Sequence, residues 1–159
     1  MQTIEIEFGP PWPSHDTFAE AIAAAEAQPE QLIGWESSLA LACSRVLSGQ
    51  FGTSSCVLNF SNGWYLFVEA RGFHTWWHVR ETERPLVEPV PPRRLRSPQG
   101  REWEFDPNAM LSEIYGAEFV MLRVIARELL VYTRGHDIFW LSAYRDRAGQ
   151  DLLHAVFET

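Results

Sequence analysis

Two apolar runs, residues 55–61 and 64–70, flank Asn62-Gly63 and form the strongest local pattern in the chain. Asn-Gly tolerates the positive φ angles of a type I′ turn, so the pattern predicts a β-hairpin with a two-residue loop. Residues 64–68 are apolar on both faces, as in a central strand covered on both sides. Arg71-Gly72 marks the next turn, and the aromatic run over 73–80 predicts a third strand.

Upstream, Ile4, Ile6 and Phe8 alternate with Glu5 and Glu7 as in a half-buried strand, which Gly9-Pro10-Pro11-Trp12-Pro13 stops. Ser14 then suits the N-cap of a helix running to about Gln28, with Phe18, Ile22 and Ala25 on one face. A second helix is expected from about Trp35 to Ser48. Its stripe is Leu39, Ala42, Cys43, Val46 and Leu47, with Gly49 as the stop.

Downstream, a Pro/Arg-rich connector covers about residues 85–101, and four of the ten prolines fall within 85–92. Arg94–Ser97 and Arg101–Phe105 suit a small hairpin about Pro98-Gln99-Gly100. Asp106-Pro107 reads as an N-cap followed by Pro at the first helical position, giving a short helix to Tyr115. Phe119–Ala126, Leu129–Thr133, Ile138–Arg145 and Leu152–Phe157 suggest an antiparallel meander. The composition of 117–131 leaves strand and helix both open there.

The helices cluster ahead of the strand runs instead of alternating with them. Residues 1–159 therefore read as one α+β domain: a largely antiparallel sheet with two N-terminal helices and one short central helix packed on it. A chain of 159 residues, 46% hydrophobic, is long enough to fold around a single core without a staple.

Charge and composition narrow the chemistry. A net charge of −8 argues against general nucleic-acid binding and favours a basic partner. The balance is uneven, because residues 80–101 carry six Arg against three Glu. The N-terminal octet has neither a basic start nor an apolar stretch, so no secretory signal is expected. The longest apolar stretch, Phe119–Ala126, is broken by Arg123 and too short to span a bilayer. Cys43 and Cys56 alone make no disulfide framework, and the expected compartment is the cytoplasm.

All 13 side chains counted as Lys or Arg are Arg. A chain without Lys cannot run Schiff-base chemistry, a Walker-type phosphate loop, protein-kinase transfer or Ser-x-x-Lys acyl transfer. Gly-x-Ser-x-Gly, Gly-x-Gly-x-x-Gly, His-Glu-x-x-His and Cys-x-x-Cys are also missing. His74 and His78 are four apart on an expected strand, about 13 Å, too far to share one metal ion. No metal or cofactor is expected.

Two sets of residues remain. With two-residue loops at both turns, Cys56, Glu69 and His74 fall in one row across three strands, where thiol, carboxylate and imidazole suit an activated nucleophile. In that order Glu69 separates the thiol from the imidazole, and a bulge at Gly72 would move His74 to the other face. For binding, the candidates are Trp12 in its proline-rich setting and the Arg93, Arg94 and Arg96 cluster, suited to a phosphate or an acidic surface. Pro89-Val90-Pro91-Pro92-Arg93-Arg94 also fits Pro-x-x-Pro-x-Arg, but the pattern is short and a stiff connector is the preferred reading.

These features favour a non-catalytic cytoplasmic binding or regulatory protein acting through a surface. One form is an acidic inhibitor or immunity-type partner of a basic protein, since Trp and Arg dominate interface hot spots. The alternatives are a small cysteine-dependent hydrolase or transferase, and a homo-oligomeric structural subunit that closes its sheet edges on itself.

Overall fold

The computed structural model describes residues 2–7, 35–125, 128–135 and 137–158. The helix expected over Ser14–Gln28, and Trp12 before it, lie outside the described residues. Within them, strands dominate: β1 (Thr3–Glu7), β2 (Val46–Phe51), β3 (Ser55–Phe60), β4 (Tyr65–Arg71), β5 (His74–Arg80), β6 (Arg93–Arg96), β7 (Glu102–Phe105), β8 (Phe119–Ile125), β9 (Glu128–Thr133), β10 (Ile138–Asp146) and β11 (Asp151–Glu158). Two helices join them, α1 (Trp35–Leu41) and α2 (Pro107–Ile114).

Strands β2-β3-β4-β5 form a four-stranded antiparallel meander. The other seven form a second sheet in the order β7-β6-β1-β10-β9-β8, with β11 also on β10. β11 pairs with β10 from Ile138 to Arg145, so β9 and β1 divide its other edge: β9 takes Ile138–Leu141 and β1 takes Arg145–Asp146. The β1–β6 pairing is parallel, and every other described pairing is antiparallel.

One sheet covers the other. Leu58, Leu66 and Val68 of the small sheet share a core with Leu129, Val131, Phe139, Leu141 and Leu153 of the large one. Each such side chain contributes roughly 1.5–3 kcal/mol relative to exposure. α1 packs on β8, where Ser38 Oγ accepts from the Leu122 amide at 3.0 Å, and α2 packs on β2 and β11. The expected helical cover is thus corrected, among the described residues, to sheet-on-sheet packing with two short helices at its margins.

The hairpins and the short helix fall where the pattern put them. β4 is central, and Tyr65–Val68 are all buried. Asp106 caps α2 by accepting from the amides of Asn108 and Ala109 at 3.2 and 3.3 Å, with Pro107 at the first helical position. Residues 119–125 are strand, because β8 is paired along β9 from Phe119 to Ile125.

The second helix is shorter than expected. It ends at Leu41, Cys43 turns the chain at φ 63°, and Val46–Phe51 pairs with β3 as a strand. Six residues gaining a cross-strand ladder outweigh a weak helical stripe. Gly49 accordingly lies inside β2 instead of ending a helix. A Cβ there would sit 2.8 Å from the Val57 carbonyl oxygen and 3.0 Å from Leu58 Cδ2. Gly49→Ala should therefore cost about 1–3 kcal/mol in urea unfolding. An unchanged midpoint would mean that β2 does not approach β3 this closely.

Candidate functional site

The hairpin about Asn62-Gly63 is wider than a two-residue turn. The Phe60 amide donates to Trp64 O (3.0 Å) and the Gly63 amide to Phe60 O (3.1 Å), closing a three-residue loop with Gly63 at φ 90°. Asn62 shapes it: Oδ1 accepts from the Trp64 amide, while Nδ2 donates to Ala40 O at the end of α1. That extra residue moves the register by one. Cys56 then lies opposite Val68, and Glu69 opposite Ser55 and Trp76. The next turn uses Gly72 and Phe73, at φ 56° and 69°, so His74 faces Arg71.

The expected Cys56–Glu69–His74 row is therefore corrected. A one-residue slip reverses every facing, and it puts Cys56 on the core side while Glu69 and His74 stay on the outer side. Cys56 is fully buried, and burial pushes its thiol pKa up, away from thiolate. His74 is exposed, and Glu69 is ion-paired to Arg71 at 2.6 Å. In iodoacetamide, native protein should gain a single adduct, at exposed Cys43, and a second only after denaturation. Native labelling of Cys56 would restore the nucleophile reading.

The arginine candidates separate because neighbours on a strand alternate. Arg96 pairs with Glu5 (3.1 Å) and Glu102, which raise its pKa, the hydrogen bond to Glu102 first. It borders an open cleft of about 230 Å³ with Glu7, Ser97 and Arg147, where Arg147 also pairs with Glu5. Arg94 is exposed, whereas Arg93 turns inward beside Phe105, its cross-strand partner. Arg94 and Arg96, two apart on β6, share one face, and Arg93 does not join them.

Two arrangements remain. The first is the outer face of the small sheet. Its Tyr65 end is covered from residues 82–87: Val87 packs on Val57, Tyr65 and Phe67, and the Tyr65 hydroxyl donates to the carbonyls of Thr82 and Glu83. The opposite end stays open. There Trp76 is 39% exposed, the Arg71 guanidinium lies 4.2 Å from its ring centre, and Phe67 meets it edge-on.

The second is a polar row on the outer side of β10–β11. Ser142 Oγ donates to the buried Glu128 carboxylate at 3.3 Å, the Tyr144 ring stacks on His154 at 5.4 Å, and Trp103 Nε1 donates to His154 Nε2 at 3.1 Å. Trp103 and Phe105 reach His154 although β6 connects to β10 only through β1, so the large sheet curls over itself here. Sequence reasoning missed this row. Ser142, Tyr144 and His154 sit on alternate positions of their strands, the usual place of solvent-facing residues, and nothing in the pattern marks that face as covered.

Burial pushes the Glu128 pKa up to about 7, partly offset by hydrogen bonds from Trp140 and Ser142. Burial first, then the charge of Arg93, lowers the His154 pKa to about 3. Folded protein keeps a proton on Glu128 that the unfolded chain sheds from about pH 4.5, so this group costs stability as pH rises towards 7. His154 acts oppositely: the unfolded chain takes up a proton below about pH 6.5, and stability falls as pH drops from there towards 3. Glu128→Gln removes only the first effect. Its stability relative to the parent should increase between pH 5 and pH 8 by at most about 3 kcal/mol, read from denaturant midpoints. A difference independent of pH would mean that Glu128 stays ionised throughout.

The fold and these faces define a predominantly antiparallel, two-sheet α+β protein. No family model, no curated protein and no solved structure matches the chain.

Proposed function

We propose that this is a non-catalytic binding or regulatory protein that engages a basic protein partner through the open end of the small sheet's outer face. The observation that carries this reading is Trp76, a tryptophan 39% exposed in mid-strand with Arg71 stacked upon it. Large, rigid Trp and Arg side chains supply most interface hot spots, and they lose little entropy when already packed against each other. The charge of −8 favours a basic partner and speeds its approach. Burial of the Cys56 thiol weakens the cysteine-enzyme alternative.

The test compares tagged parent protein with Trp76→Ala, both incubated in extract of the source organism and read by native mass spectrometry. The parent should retain a basic protein, released by salt, while Trp76→Ala, still folded and melting cooperatively, binds it about 30-fold or more weakly. Recovery of the parent alone, or equal retention by the variant, would refute the assignment.

A further inference from the structure

Trp103 Nε1 carries a hydrogen and can only donate, so His154 Nε2, which accepts it, is the bare ring nitrogen. The ring proton of the neutral imidazole then sits on Nδ1. That nitrogen is buried and has no acceptor among the described residues, and His154 itself is only 7% exposed. Arg93 repeats the pattern. Its Nε and Nη2 are both buried without a partner among the described residues. These are the two donors along one edge of the guanidinium, the edge that grips two oxygens at once. Both groups flank Phe105: Arg93 is its cross-strand partner, and the His154 ring centre lies 4.6 Å from it.

Buried donors left unpaired are costly, and three around one aromatic ring demand an acceptor. We propose that Arg93 and His154 form a binding site for a small organic carboxylate. Its two oxygens take the Nε/Nη2 edge of Arg93 and the Nδ1 proton of His154, and its apolar body lies along Phe105 and Tyr144. The charge count selects this ligand class. Arg93 brings one positive charge, and His154 stays neutral because burial, and then the charge of Arg93, disfavours its cation, so a monoanion balances the site. A phosphate dianion would leave an uncompensated buried charge. This site uses residues distinct from the Trp76 face and stands whether or not a protein partner binds there.

The probes are sodium benzoate and sodium acetate, with benzamide as neutral isostere and phosphate as dianion, at constant ionic strength and pH 8. Thermal shift and the Arg93 Nε–H and His154 Nδ1–H resonances report binding. Benzoate should raise the melting temperature saturably and shift both resonances, while benzamide and phosphate bind at least tenfold more weakly. Arg93→Lys keeps the charge but loses the two-donor edge, and should weaken benzoate at least tenfold. Arg93→Met should melt higher than the parent without ligand and show no response to benzoate, the reverse of what a purely structural arginine would give. Absence of a saturable response to either carboxylate, equal binding by Arg93→Lys, or phosphate binding as tight as benzoate would overturn the proposal.

Discussion

Three strands, β3 to β5, owe the placement of every side chain to the two loops that join them. Side chains alternate with a period of two, so one residue more or less in a loop exchanges core and surface along the whole strand that follows. The loop at Ser61–Gly63 takes three residues because Gly63 accepts the left-handed backbone and Asn62 is held at both ends of its amide. That choice buries Cys56, Leu66 and Val68 between the sheets and turns Phe67 and Glu69 outward. The second turn is less comfortable, since Phe73 sits at φ 69°, a conformation a bulky side chain rarely takes. It is held from the other sheet: Asp151 accepts from the Gly72 amide at 3.0 Å, and Arg145, itself paired to Asp151, lies over the Phe73 ring.

The tie between that turn and the β10–β11 end follows from how the two sheets share their apolar surface. β4 is apolar on both faces, and a second layer on each side is therefore required. On the inner side it is the large sheet. On the outer side it is the proline-rich stretch, through Val87. Proline brings no backbone donor, so an extended Pro-rich segment can lie across an apolar sheet with fewer polar groups to satisfy than a helix end or another strand. The cover comes from just before the Pro89–Arg94 pattern, whose prolines at 89, 91 and 92 stay exposed.

What could be read from the residues alone were features decided by neighbours in sequence. The Asn-Gly hairpin, the Asp106-Pro107 helix start and the downstream meander each depend on a few adjacent side chains, and each stands in the structure. What could not be read depended on partners far away. Val46 and Leu47 close the helical stripe that starts at Leu39, yet they belong to a strand because β3 offers Val46–Phe51 a ladder. The loop length at Asn62-Gly63 turns on a contact with Ala40, twenty-two residues upstream, and no local rule supplies it. The candidate thiol row inherited that single-residue ambiguity and failed with it, although Glu69 and His74 remained on one face.

The polar row beneath β6–β7 was hidden for the same reason, and its energetics explain why it attracts interest. A stable core tolerates buried polar groups when their partners satisfy them; there a histidine is held neutral, a glutamate takes up its proton more readily than usual, and an arginine has two donors without a partner among the described residues. None of these states lowers the free energy of the folded chain by itself. A sequence under selection for stability alone has apolar replacements of similar volume for each, as Phe105 and Leu152 beside them illustrate. Imidazole, carboxyl and guanidinium groups on one covered face therefore raise the free energy of the folded chain wherever their hydrogens lack acceptors, and a bound group that supplies those acceptors would recover that cost.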